Sequence, residues 1–400
     1  MRSIFASSTP HKRTRNASLC RVSEPALKRT RNETVASGSP RFDEAYIVDQ
    51  ELSIIKGDIY LKIGNTLFPA SIQKLRNVEG LFSDLFSIQQ PEHVDLIYGL
   101  PYCEMYNCSE SELRVLLKLI HGFKYVFQRR RSVDDITEFD VEHMLDALLV
   151  SSKLDLPGIR IQAKDAIHDF FGSMWNHIMW GKPPPEYPIV ALSGYTMSKA
   201  NAPCILSFRM INVFRECELV YCLPMAYYLA AQQNHNDIMD GVKLPDGSLL
   251  ELHHTDKKIL LKGREMLRSL RRNVTFLWLL EHVGCPKDYV RLHGCTSEAY
   301  PKGKGCYDFV FDLYILFYSP ISRLLEDRCD ALESISFQAT EIIKCHLCPE
   351  CYKYFNGRII RSLSASWTEI PKIFTGHSWT KLRERQHKIE ETWCERLSYV

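Results

Sequence analysis

The chain has 400 residues, 45% of them hydrophobic and 24% charged, with a net charge of +2 at neutral pH. That length holds two or three domains with sizeable cores, and the charge balance excludes a generally basic nucleic-acid binder while leaving room for a local basic patch. No apolar run approaches the roughly 18–20 residues of a membrane span, and the N-terminus lacks the apolar core of a secretory signal.

The fourteen cysteines are accordingly read as thiols of a reducing compartment, nucleus or cytoplasm, with a few on metal. Residues 1–43 are rich in Ser, Thr, Arg and Asn, carry almost no apolar periodicity, and read as a disordered basic arm. The pentapeptide KRTRN occurs there twice, at Lys12–Asn16 and Lys28–Asn32. Two basic clusters on a flexible strand fit a bipartite nuclear-import signal built on Lys12, Arg13, Arg15, Lys28, Arg29 and Arg31. The alternative is a solvated tail. Nucleic-acid binding is disfavoured, because the patch is short and has no interleaved aromatics.

Residues 44–180 read as the first folded domain. Ile59, Leu61 and Ile63 alternate, Gly64–Asn65 supplies a turn, and Leu67–Phe68 continues the pattern, which predicts a hairpin over 57–69. A helix over about 71–88 follows, with Leu81, Phe82, Leu85 and Phe86 on one face, then a short strand at Val94–Leu96–Tyr98. Ser109 and Glu112 have capping-box spacing ahead of Leu113, Leu116, Leu117 and Ile120. The segment HGFKYVFQRRR reads as a loop or short strand. Helices at about 140–153 and 157–174 close the domain, the second opening at Pro157.

Residues 181–204, with GKPPPEYP, read as a linker. A mostly α-helical domain is predicted over 205–380 and a helical tail over 381–400. Within the domain, helical patterns cover about 205–235, 255–283 and 306–328, with a turn at Asp246–Gly247.

The hairpin with Asp58 before it, the GLFSDLF helix, the ELRVLLKLIHG helix and the paired helices at 140–174 resemble the BTB/POZ family. The resemblance implies an α/β domain, a small mixed sheet capped by helices, followed here by the helical C-terminal domain. Ser71 stands where the family often has His. Further on, LPDGSLLEL, KGREMLRSL, LCPEC and the ending Trp367–Thr368–Glu369–Ile370–Pro371–Lys372–Ile373–Phe374 resemble BTB proteins of mushroom-forming fungi. The likeness carries a family and no activity.

It implies a non-enzymatic interaction module that oligomerises or serves as an adaptor scaffold, with protein partners and no membrane or small-molecule substrate. A homo- or hetero-dimer contact would use Ile47, Leu52, Ile54 and the Leu81–Phe86 helix; the alternative is that these side chains, Phe82 and Phe86 above all, fill the domain's own core. A second function is a substrate receptor of a cullin-type ubiquitin ligase, resting on Ile136–Thr137–Glu138 at the position of a hydrophobic-x-Glu motif.

The remaining chemistry lies in the cysteines. Cys345, Cys348 and Cys351 form C-x2-C-x2-C, and Cys295 and Cys306 lie upstream. Four thiolates make a tetrahedral structural zinc site, and the favoured set is Cys295, Cys306, Cys348 and Cys351, with Cys285, Cys345 and His346 as substitutes. The alternative is buried thiols beside a helix start at Pro349. His253–His254 with Asp256 read as a helix start capped by Thr255 or Asp256. Cys222 and His282 show no nucleophile partners, and no G-x-S-x-G, P-loop or H-E-x-x-H occurs.

Overall fold

The computed structural model describes residues 20–21, 46–88, 95–124, 126–130, 137–180, 202–244, 246–283, 295, 305–318, 329–332, 344 and 346–395. The basic clusters of the arm, most of the linker, Ile136, Cys285 and Cys345 lie outside these residues. The chain divides into two compact units, Met1–Lys124 with Val150–Ile159, and Tyr125–Leu149 with Arg160–Val400. The boundary thus falls inside the 44–180 span.

The first unit is built on a mixed sheet. Strands β1 (Cys20–Arg21), β2 (Ile47–Val48), β3 (Ile59–Ile63), β4 (Thr66–Ala70), β5 (Leu96–Ile97) and β6 (Leu100–Met105) take the order β1-β6-β3-β4-β2, with β5 folded back on β6. β3 and β4 are the antiparallel hairpin that alternation predicts, with Leu61 opposite Phe68 and Gly64 turning at φ +55°. β6 runs parallel to β3 and β2 parallel to β4. β6 has no counterpart among the strands expected from the sequence; its Pro101 sits near the strand's start, opposite Leu96 of the short β5, where a missing donor is tolerated.

One sheet face, Ile59, Leu61, Phe68, Ala70 and Cys103, packs against helical Leu75, Phe82, Leu113, Leu116 and Leu117. The single helix expected over 71–88 is two, α1 (Ile72–Arg76) and α2 (Leu81–Ser87). They part because Gly80, at φ +103°, lies so close to the chain at Asp155 that a Cβ there would stand 2.1 Å from the Asp155 carbonyl oxygen. Asp58 earns its place before the hairpin: its Oδ1 accepts the Ile72 N–H at 2.6 Å, capping α1 where Ser71 makes no side-chain cap.

Helix α3 (Glu110–Ile120) opens with the expected capping box between Ser109 and Glu112. Glu112 is buried and also pairs with Lys153 at 2.8 Å. Asp49 accepts the Leu52 N–H and pairs with Arg114 of α3 at 2.8 Å, which ties the edge strand β2 to that helix.

Helix α4 (Val141–Lys153) and helix α5 (Pro157–Trp180) belong to both units in part. The second unit holds two small antiparallel ladders, β7 (Gln128–Arg130) with β8 (Thr137–Phe139) and β9 (Val242–Lys243) with β10 (Leu249–Leu250). Between β9 and β10, Asp246 accepts from the Ser248 N–H at the predicted turn. Its other helices are α6 (Ala202–Glu216), α7 (Leu223–Ala231), α8 (His235–Asp240), α9 (His254–Leu270), α10 (Leu277–Val283), α11 (Cys306–Tyr318), α12 (Pro349–Thr375) and α13 (Trp379–Glu395).

A π-helical turn, Arg271–Thr275, separates α9 from α10 inside the helix expected over 255–283. There the Thr275 hydroxyl donates to the Ala331 carbonyl at 2.7 Å and lies 2.9 Å from the Ser366 hydroxyl. α12 lies against α9 so closely that a Cβ on Gly263 would meet the Phe374 ring at 2.3 Å, and Phe374 in turn stacks on Tyr227. Trp367 stacks on Trp379, whose indole N–H donates to the Trp367 carbonyl at 2.9 Å. These contacts give the W…P…F ending a packing role.

The cap of α9 differs from expectation. His253 is the N-cap, and its side chain accepts from the Thr255 N–H. Asp256 instead lies fully buried, ion-paired with Arg215 at 2.7 Å and accepting from the Tyr227 hydroxyl. Burial and the Asp256 carboxylate push the Tyr227 phenol well above its ordinary range.

Candidate metal centre

The sulfurs of Cys295, Cys306, Cys348 and Cys351 all lie within 4.8 Å of one another. Two helix starts deliver three of them. Cys306 is the first residue of α11, where Asp308 accepts the Gly305 N–H at 3.0 Å. Cys348 is the N-cap of α12, Pro349 fixes the first helical residue, and Cys351 sits in the first turn. The i, i+3 spacing sets both sulfurs on one side of that helix start. The helix start expected at Pro349 is present, and it is this start that places the Cys348 and Cys351 sulfurs side by side.

The group is close to the size of a coordination shell. Four thiolates at about 2.3 Å from one tetrahedral zinc stand roughly 3.8 Å apart, and Cys348 Sγ lies 3.9 Å from Cys295 Sγ. A disulfide needs about 2.05 Å, and none of these four cysteines is in one. The Cys348 N–H donates to Cys306 Sγ at 3.2 Å, an amide–sulfur bond of the kind that steadies a ligating thiolate.

Cys306, Cys348 and Cys351 are buried, whereas Cys295 is half-buried. They lie in a core with Phe276, Trp278, Leu279, Val310, Leu347 and Phe355. Burial, together with the neighbouring Cys295 and Cys348 sulfurs, pushes the Cys306 thiol up to about 11, although the Cys348 N–H pulls the other way. Four negative sulfurs this close repel one another unless a cation lies between them, and the aligned amides at the starts of α11 and α12 favour negative charge there. The residues present can hold one metal ion. His346, a proposed substitute, is exposed, stacks its ring on Phe309 at 4.8 Å, and is not in the group.

The surface expected for a dimer is split. Ile47 and Ile54 leave 64% and 78% of their area exposed. Leu52 and Phe82 are fully buried in the core of their own unit, so they face no partner, and Leu81 packs partly buried against that core. Leu52 is drawn inward because the Asp49 carboxylate holds its N–H and folds the 49–52 turn over the sheet. Of the hydrophobic-x-Glu motif, Glu138 is placed in β8 opposite Arg129, while Ile136 is outside the described residues.

Sequence reasoning read His121 only as the end of the ELRVLLKLIHG helix and missed its bridging contacts. Its Nδ1–H donates to the Leu117 carbonyl at 2.9 Å and its Nε2 accepts the Ser71 N–H at 3.2 Å. Burial, with Lys74 nearby, lowers its pKa. A contact across fifty positions leaves no local pattern to read. Among the described residues no helix is long and apolar enough to cross a membrane. No protein-family model matches this chain, and no curated protein and no solved structure resembles it significantly.

Proposed function

We propose that this chain is a protein-interaction scaffold of BTB/POZ type, whose first unit pairs with a second protein and whose C-terminal unit is stapled by one structural zinc. The pairing rests on Ile47 of the edge strand β2 and Ile54 of the following turn. Both are large aliphatic side chains left outside a core that takes in Leu52, Ile59 and Leu61 around them. Side chains of this kind at a sheet edge are suited to burial against a partner. The two-fold self-contact is the simplest such arrangement.

Light scattering on the full chain tests it. The expected result is a dimer at micromolar concentration, and a shift to monomer in the Ile47→Glu/Ile54→Glu double variant. A monomeric parent protein rules the self-pairing out.

Zinc is the metal that the donor set favours. Four soft thiolates, three of them buried, match the donor set of a structural Zn2+ site, which leaves no open position for catalysis. Elemental analysis of purified protein is expected to find one zinc per chain, lost in the Cys348→Ser/Cys351→Ser variant. An equal metal content in the two proteins refutes the site.

A further inference from the structure

We propose that Cys295 is the oxidisable sulfur of the four-cysteine centre, and that a hydroperoxide joins it to Cys348 and expels the metal. The proposal rests on the zinc reading and adds a modification site to it.

The four sulfurs are unequal in ways that order their reactivity. Cys306, Cys348 and Cys351 keep at most 1% of their area exposed, and Cys295 alone is half-buried. A metal-held sulfur is already a thiolate, so access decides which one meets an oxidant first. The Cys295 sulfur lies 3.9 Å from that of Cys348. Closing that gap to a bonded length takes about 2 Å of movement. The Cys306 sulfur is held by the Cys348 N–H at 3.2 Å, and both Cys306 and Cys351 are fixed on helices, whereas Cys348 has the extended backbone of an N-cap, at ψ 160°.

The chemistry balances with a hydroperoxide as the two-electron oxidant. The Cys295 thiolate attacks one peroxide oxygen, an S–O bond forms, the O–O bond breaks, and the departing oxygen leaves as hydroxide, or as alkoxide from an organic hydroperoxide. The Cys348 thiolate then attacks the sulfenic sulfur. The S–S bond forms, the S–O bond breaks, and a second hydroxide leaves; solvent protons neutralise both anions. Cys295 and Cys348 together lose two electrons and the peroxide gains them. Two thiolates, Cys306 and Cys351, remain for the zinc, too few for a closed structural site, so the ion is released. Because Cys348 also caps α12, the same event disturbs the start of that helix and the Phe276–Phe355 core beside it.

The test uses the full chain with its metal measured beforehand. Hydrogen peroxide is expected to release one zinc per chain into a chromogenic chelator, while peptide mapping after alkylation finds a Cys295–Cys348 disulfide. Dithiothreitol with added zinc is expected to restore the starting state. Cys295→His retains a ligand that cannot form the disulfide, and its zinc is expected to leave at least ~10-fold more slowly. Zinc released with Cys295 still reduced, a Cys306–Cys351 bridge instead, or zinc that stays bound through oxidation of the native chain overturns the proposal and leaves the zinc site standing. An untreated chain without zinc overturns the zinc reading itself, and the proposal with it. If Cys295→His does not fold, the mapping on the native chain decides alone.

Discussion

Single side chains carry much of the specificity of this fold. His121 bridges α3 and the start of α1 as a neutral ring that both donates and accepts. Protonation would turn Nε2 into a donor facing the Ser71 N–H. Its pKa is lowered on folding, so the unfolded chain takes up the proton first. Its contribution is complete above the unfolded value, about 6.5, and drains away as the pH falls from there through the folded value. Denaturant titrations of the first unit are expected to show this loss between neutral and mildly acid pH, and His121→Phe should cost about 1–3 kcal/mol and flatten that slope. Gly263 makes a sharper case. Alanine is the better helix former by about 1 kcal/mol, yet its methyl would overlap the Phe374 ring. Gly263→Ala should therefore destabilise by roughly 1–3 kcal/mol, and Phe374→Leu in the same chain should recover part of it. Simple addition of the two costs would refute that contact.

At the scale of elements, the legible ones are those whose signals are local. The β3–β4 hairpin follows from alternation around Gly64–Asn65, and α3 from Ser109 and Glu112, because the residues that fix these elements are neighbours. β6 escaped because Pro101 and Gly99 speak against a strand locally, while its place beside β3 is set by a partner some forty residues earlier. The break between α1 and α2 is imposed by the chain at Asp155, again a distant cause. The cysteine group was legible because residue type alone narrows the choice and Cys348-x2-Cys351 supplies a local anchor. The starts of α11 and α12 bring Cys306, Cys348 and Cys351 together, and Cys295 joins them there while His346 does not. Those two helices should also fail together. On the proposed zinc site, treatment with a strong chelator is expected to abolish amide-exchange protection at Val310 and Phe355 while that at Leu61 and Leu116 persists, as read by mass spectrometry. Unchanged protection at Phe355 would show the core standing without its ion.

Over the whole molecule, the two units are stabilised by different means. The first buries its sheet under helices, ties the β2 edge to α3 with the Asp49–Arg114 pair and joins α3 to α4 with Glu112–Lys153. The second depends on long helices, one of which has both ends fixed. α12 runs 27 residues from the sulfurs of Cys348 and Cys351 to Phe374, which is wedged over Gly263. A rod of that length spans about 40 Å and turns through roughly 100° for each residue added. Swaps along its exposed flank leave both anchors in phase. Adding or removing one residue between Cys351 and Phe374 does not, since either the thiolates or the ring must then face the wrong way. The count of residues in this stretch is thus more constrained than their identity, much as a key tolerates scratches along its shaft but no change in its length.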